Sequence, residues 1–188
     1  MSPHIHSDSD FSAIHYIQFD KKKDFFPLII VLILAFARLI PHPPNFTPII
    51  AVAIMGSFFF TNIYLSLAVI IISMLLADMF IGFYTNMFFV YFSLILIAFI
   101  FFQIRTKIKL QNLFIYGFLG SVIFFLISNF GVWILSDMYE KNLNGLIYCY
   151  FLALPFFVNT MLSTTFFTYC AFIALKVNNF RHTYFFKK

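Results

Sequence analysis

The side chains able to do chemistry in this sequence are few, and they stand in apolar surroundings. Arg38 comes three residues before the run Pro41-His42-Pro43-Pro44-Asn45-Phe46-Thr47-Pro48-Ile49, and Asp78 comes four before Gly82-Phe83-Tyr84-Thr85-Asn86. Asp78 is the one acid and Arg38 the one base set inside long apolar stretches. An unpaired charge at the middle of a spanning helix costs about 2.5 to 3.5 kcal/mol on insertion scales, and less towards its ends. A mutual Arg38–Asp78 pair is therefore expected. Two roles fit it: orienting two helices, or also meeting a polar solute.

Other polar residues extend the set. His42 can donate, accept or carry a proton, and equally can serve its own loop. Asn45 suits a turn, where its amide bonds nearby backbone, as well as a ligand. Tyr84 and Asn86 lie in one turn and can face the same space. Asn129 and Trp133, at i and i+4, share a helix face; the single Trp also fits an interface anchor. Asn159 and Thr160 follow Pro155 by about one turn, where they can either meet a ligand or replace the hydrogen bond lost at proline. Candidate solute-binding residues are thus Arg38, His42, Asn45, Asp78, Tyr84, Asn129, Trp133 and Asn159.

The elements that must position them are helices in a membrane. Hydrophobic residues make up 62% of the chain and charged ones 10%, against about a quarter charged in soluble domains. Long apolar runs recur from Phe25 to Leu175, the pattern of an all-α polytopic membrane protein with one membrane domain. The 31 phenylalanines reflect drift of the whole composition and carry no weight for a site. Four prolines between Pro41 and Pro48 force the chain out of helical form. Irregular backbone at membrane depth survives only where protein or a watery cavity surrounds it.

Helices are expected over residues 25–40, 47–60, 63–81, 87–102, 113–135 and 146–175. The second and third could be read as one span, but positive charge decides otherwise. With Lys21, Lys22 and Lys23 inside, two separate helices return Arg105, Lys107 and Lys109 to the inside. Six spans with both termini cytoplasmic follow, with all of the 12 Lys and Arg residues except Arg38 and Lys141 on the inner side. The last run would be about 45 Å if wholly helical, so one long helix, tilted or kinked at Pro155, is expected. Residues 1–24 read as a polar cytoplasmic arm, 25–176 as the transmembrane domain and 177–188 as a basic tail. The N-terminus lacks the pattern of a signal peptide. This topology brings the proline segment, the 78–86 turn and the 137–144 loop to one side, the outer one.

Several functions lose support. The net charge of +5 is spread over short segments between spans, which reads as topology and not as a nucleic-acid surface. His4, His6 and His15 lack a fixed ligand spacing. Cys149 and Cys170 lie about six turns apart on one helix and cannot bridge within it. No Walker loop, His-Glu-x-x-His or Gly-x-Ser-x-Gly is present. The chain reads as neither an enzyme nor a cofactor or metal protein. Thr47 with Ala51, and Ala53 with Ser57, are small residues at the four-residue spacing that lets helices approach closely.

Arg38-x-x-Pro41-His42-Pro43-Pro44-Asn45-Phe46-Thr47-Pro48-Ile49, Asp78 before Gly82, Asn129-Phe130-Gly131-Val132-Trp133 and Pro155-Phe156-Phe157-x-Asn159-Thr160 together resemble an uncharacterised bacterial family of membrane transport proteins. That family is in turn similar, in size, six-helix layout and outer first loop, to the substrate-binding S components of energy-coupling-factor (ECF) transporters. The resemblance implies a solute site opening outward beneath the loop between helices one and two. It further implies a coupling transmembrane protein and a pair of ATPase subunits in the inner membrane. The family pattern often has an acid a few positions after Asn-Thr, where this chain has Ser163-Thr164-Thr165.

The reading that follows is a membrane subunit that binds a small vitamin-like or precursor-like solute for uptake. A ligand-free scaffold or regulatory subunit is the alternative, and an intramembrane enzyme a third. A scaffold predicts no cavity for a drug-sized ligand, roughly 300 Å³ at the least.

Overall fold

A computed structural model describes residues 21–60, 62–104 and 110–185. They form six α-helices: α1 (Lys21–Ala37), α2 (Ile49–Phe59), α3 (Ile63–Ile81), α4 (Met87–Gln103), α5 (Leu113–Leu135) and α6 (Leu143–Phe185), with a single 3₁₀ turn at Leu110–Asn112 leading into α5. No strand occurs among the described residues. The polar arm expected at 1–24 lies outside them up to residue 20, and helical backbone already begins at Lys21.

Three helices are long and apolar enough to cross a membrane: Ile63–Ile81, the stretch Leu110–Leu135, and Leu143–Val177 within α6. The other three, Phe25–Ala37, Ile49–Phe59 and Met87–Gln103, are shorter and apolar. The second is the shortest, about 16 Å at 1.5 Å per residue, roughly half a hydrocarbon core. A crossing there would need the proline segment for the remainder.

α2 is also the centre of the bundle. Its residues from Ile49 to Ser57 are all buried, and it touches each of the other five helices. A helix that is apolar on every side is stable only when surrounded. Small residues make this possible: Ala51, Ala53 and Ser57 are fully buried, and Gly120 of α5 receives Ile50 and Ile54. Ser57 returns its hydroxyl to the carbonyls of Ala53 and Ile54, so its own buried donor is satisfied.

The helix ends follow local chemistry. Beyond α1, Arg38, Leu39 and Ile40 continue in tight turns, each N–H bonding the carbonyl three residues back, until the prolines end the run. The expected end at residue 40 is thus right for the turn but not for the α-helix. Asn62 caps α3 by accepting from the Tyr64 N–H, which keeps α2 and α3 separate as charge counting required. Gly82 closes α3 at φ 101°, a conformation open to a residue without Cβ. α6 passes through Pro155 as one helix.

Arg38 after α1 and Tyr91 of α4 meet Asp78 of α3, and the proline segment between α1 and α2 lies against α6 at Asn159 and Phe167.

Candidate functional site

The site begins with one carboxylate. Asp78, in the last turn of α3, has a side chain with 0% exposure, and its Oδ1 lies 2.5 Å from Arg38 Nη1. The same Nη1 also approaches Met74 Sδ at 3.9 Å, one turn below Asp78 on α3. Tyr91 of α4 donates to the other carboxylate oxygen, Oδ2, at 2.7 Å. Asp78 therefore joins three elements, and the expected pair is present. Tyr91 escaped the sequence reading. The available signal was a hydroxyl one turn into a mostly apolar helix, which an interfacial Tyr imitates.

Beneath the proline segment lies a cavity of about 240 Å³, with Arg38, Asn45, Thr47, Tyr84, Phe124 and Thr160 among its walls. A second, of about 170 Å³, shares Asn45, Val90, Phe124 and Thr160 with it and reaches Asn86, Ser128 and Asn129. Outside both, a wider recess of about 610 Å³ is bounded by Arg38, His42, Asn45, Thr47 and Phe80. Asn45 and Thr47 thus belong to the recess and to the first cavity alike. Asn45 holds φ at 60°, a left-handed conformation that Asn tolerates better than most residues, and this turns the chain back into the bundle. Phe46 then packs on Phe167 of α6, ring centroids 6.0 Å apart.

Two buried polar atoms at the cavities have no hydrogen-bond partner among the described residues, Tyr84 Oη and Asn86 Oδ1. Asn86 Nδ2 donates to the Ser128 carbonyl at 2.9 Å, which fixes the amide's orientation because a carbonyl accepts only from the nitrogen. Burial, and then the Asp78 carboxylate, push the Tyr84 phenol above its ordinary value, against the opposing pull of Arg38. The guanidinium reaches towards this oxygen, yet the contact falls short of hydrogen-bond geometry. Tyr84 is held as a neutral O–H.

The remaining candidates divide. Asn129 lines the second cavity, but its amide donates to the Phe125 carbonyl of its own helix. Asn159 Nδ2 reaches Pro44 O at 3.1 Å, tying α6 to the proline segment. Thr160 lines both cavities and bonds Phe156 O. Neither residue takes the Phe151 carbonyl that Pro155 leaves free within α6. His42 is exposed at the recess, its Nδ1 3.0 Å from Pro43 O. Trp133 is not brought to the cavities; its Nε1 donates to Glu140 O at 2.9 Å, and Lys141 Nζ contacts Trp133 O and Ser136 O at the end of α5. Asn129 and Trp133 share a helical side, yet the second is recruited by the loop that follows α5.

Both Asp78 oxygens are engaged, Oδ1 by Arg38 and Oδ2 by Tyr91. Among the described residues no three His, Cys, Asp or Glu side chains gather closely enough to hold a metal. What the arrangement offers is a neutralised ion pair, several N–H and O–H groups and an apolar wall.

The model of a family of unknown function (DUF6580) matches residues 19–184. No curated protein matches the chain, and no solved structure matches it.

Proposed function

The chain belongs to that family, and for this member we propose a membrane-embedded substrate-binding subunit of an uptake system for a small vitamin-like or precursor-like solute. One observation carries the reading: the cavity under the proline segment is walled by Arg38, Asn45, Thr47, Tyr84 and Thr160, drawn from different helices and loops. Six spans with cytoplasmic termini, in the inner membrane of a bacterium, would turn the proline segment outward. The solute would then enter through the recess beside His42 and pass Asn45 into the cavity. Asn159, by holding Pro44, would set how easily the segment opens.

In this proposal the partners are the solute, the lipid bilayer, and a coupling membrane protein with ATPase subunits; no cofactor and no nucleic acid is involved. Each inner cavity alone is below the roughly 300 Å³ typical of drug-sized sites, so a solute larger than one ring would need both. The scaffold alternative draws support from that same shortfall in each inner cavity and from the Arg38–Asp78–Tyr91 set, which is well satisfied within itself. Mass spectrometry of small molecules retained by the detergent-purified protein decides between them. A single compound retained at near-stoichiometric amount, and lost from Thr160→Val, is expected; a preparation free of any retained or acquired compound favours the scaffold.

A further inference from the structure

The ion pair at the cavity also fixes the charge of what can bind there, an inference that rests on the solute-binding reading. We infer that the ligand is an uncharged, ring-bearing amphipathic solute that presents an amide- or carbonyl-type acceptor to Arg38 and Tyr84, and that organic anions and cations are rejected.

Consider first a cation. It would need a carboxylate, but Asp78 is wholly buried, with Oδ1 committed to Arg38 and Oδ2 to Tyr91. No acid is among the described residues that line the two cavities.

An anion meets the opposite difficulty. Arg38 is the member of the pair that lines the cavity, at 12% side-chain exposure. Its charge, however, is already cancelled 2.5 Å away. A second carboxylate would find no counter-charge of its own and would compete with Asp78 for the same guanidinium. A neutral acceptor escapes both costs. Nη1 of Arg38 is held by Asp78 and Met74 and the guanidinium also leans towards the Tyr84 oxygen, but a guanidinium carries five N–H donors in all. Tyr84 adds a buried O–H that no described residue accepts.

The rest of the space is apolar and aromatic. Ile50, Val90 and Phe124 face the first cavity. Past Phe124, the rings of Phe125 and Phe157 stand 5.1 Å apart and tilted by 59°, a setting that accepts another ring edge-on or offset. A volume of 240 Å³ equals the share of about eight waters in the liquid, room for one substituted ring.

The test compares three probes with the same ring: benzamide, benzoate and benzylamine, neutral, anionic and cationic near pH 7. Calorimetric titration of the full chain in detergent should give benzamide a Kd at least about tenfold below the other two, about 1.4 kcal/mol. Tyr84→Phe, checked for an unchanged melting temperature, should weaken benzamide about fivefold, as loss of one hydrogen bond predicts. Benzoate or benzylamine binding as tightly as benzamide overturns the inference, and so does benzamide binding that ignores Tyr84→Phe. Absence of binding by all three overturns it too; a solute retained through purification would then still support the parent reading, so the two failures are told apart.

Discussion

Arg38 and Asp78, 40 positions apart in sequence, meet at 2.5 Å with the carboxylate sealed off and the guanidinium at the cavity wall. The pair is thereby both a clamp between the end of α1 and α3 and the polar floor of the space under the proline segment. Removing one partner leaves the other buried and unmatched, which costs about 3–5 kcal/mol. Asp78→Ala is expected to lower the unfolding midpoint in detergent far more than Arg38→Met combined with Asp78→Leu, which removes both charges. A single variant as stable as the double would show that the pair does not hold the helices.

Tyr91 supports the same carboxylate from α4. Tyr91→Phe keeps the ring and removes only the donor to Asp78 Oδ2, so a loss of about 1.5–3 kcal/mol is expected, the range for hydrogen bonds to charged groups. Denaturant unfolding of the two proteins side by side measures it, and a change below about 0.5 kcal/mol, the usual size for surface substitutions, would remove Tyr91 from the network.

Gly131 and Gly56 should respond oppositely to alanine. A Cβ at Gly131 would collide with Asn86 Oδ1 and the Phe89 ring, breaking the tie from Asn86 to Ser128; overpacking of this kind costs about 1–3 kcal/mol. At Gly56 the nearest atom is Ile70 Cδ1 at 3.4 Å, ordinary contact, and Ala is favoured over Gly inside a helix by about 0.5–1 kcal/mol. Melting temperatures should fall for Gly131→Ala and hold or rise for Gly56→Ala.

Asn159 and Asn45 control the proline segment by different means. Asn159→Ala removes the bond to Pro44 O and should speed hydrogen exchange at the backbone amides of Asn45, Phe46 and Thr47 without unfolding the bundle. Asn45→Ala places a Cβ-bearing residue without a polar side chain at φ 60°, at a cost of about 1–2 kcal/mol, while Asn45→Gly should be tolerated. Equal exchange in the wild type and Asn159→Ala would show that the tie does not hold the segment.

Tyr84 makes a prediction about pH. Its phenol is raised by burial and by Asp78 from an ordinary 10.0, so the fold favours the neutral form. That contribution is fully present below pH 10.0 and is lost as pH climbs through the raised folded value. The difference between ultraviolet tyrosinate titrations of the wild type and Tyr84→Phe should reveal a phenol ionising above the ordinary value. One ionising at or below it would contradict the burial described.

The sequence by itself determined which charges had to meet and several of the helix boundaries, although α1 ends as an α-helix at Ala37 and α6 runs Leu143–Phe185, past the expected 146–175. The ends of α3 and α5 fall where the apolar runs meet Asn62, Gly82, Asn112 and Ser136, because those boundaries are local events of capping, turn chemistry and solvation. The Arg38–Asp78 pair was legible for a different reason: two lone charges in apolar surroundings have no cheaper place to go. Only the tertiary structure decided that Tyr91 completes the carboxylate's partners, that Asn159 grips Pro44 while Trp133 turns away to Glu140, and that the short α2 fills the middle of the bundle. Helices that are apolar on every side give no rotational phase, so the direction in which a given polar residue points is set by how neighbouring helices pack.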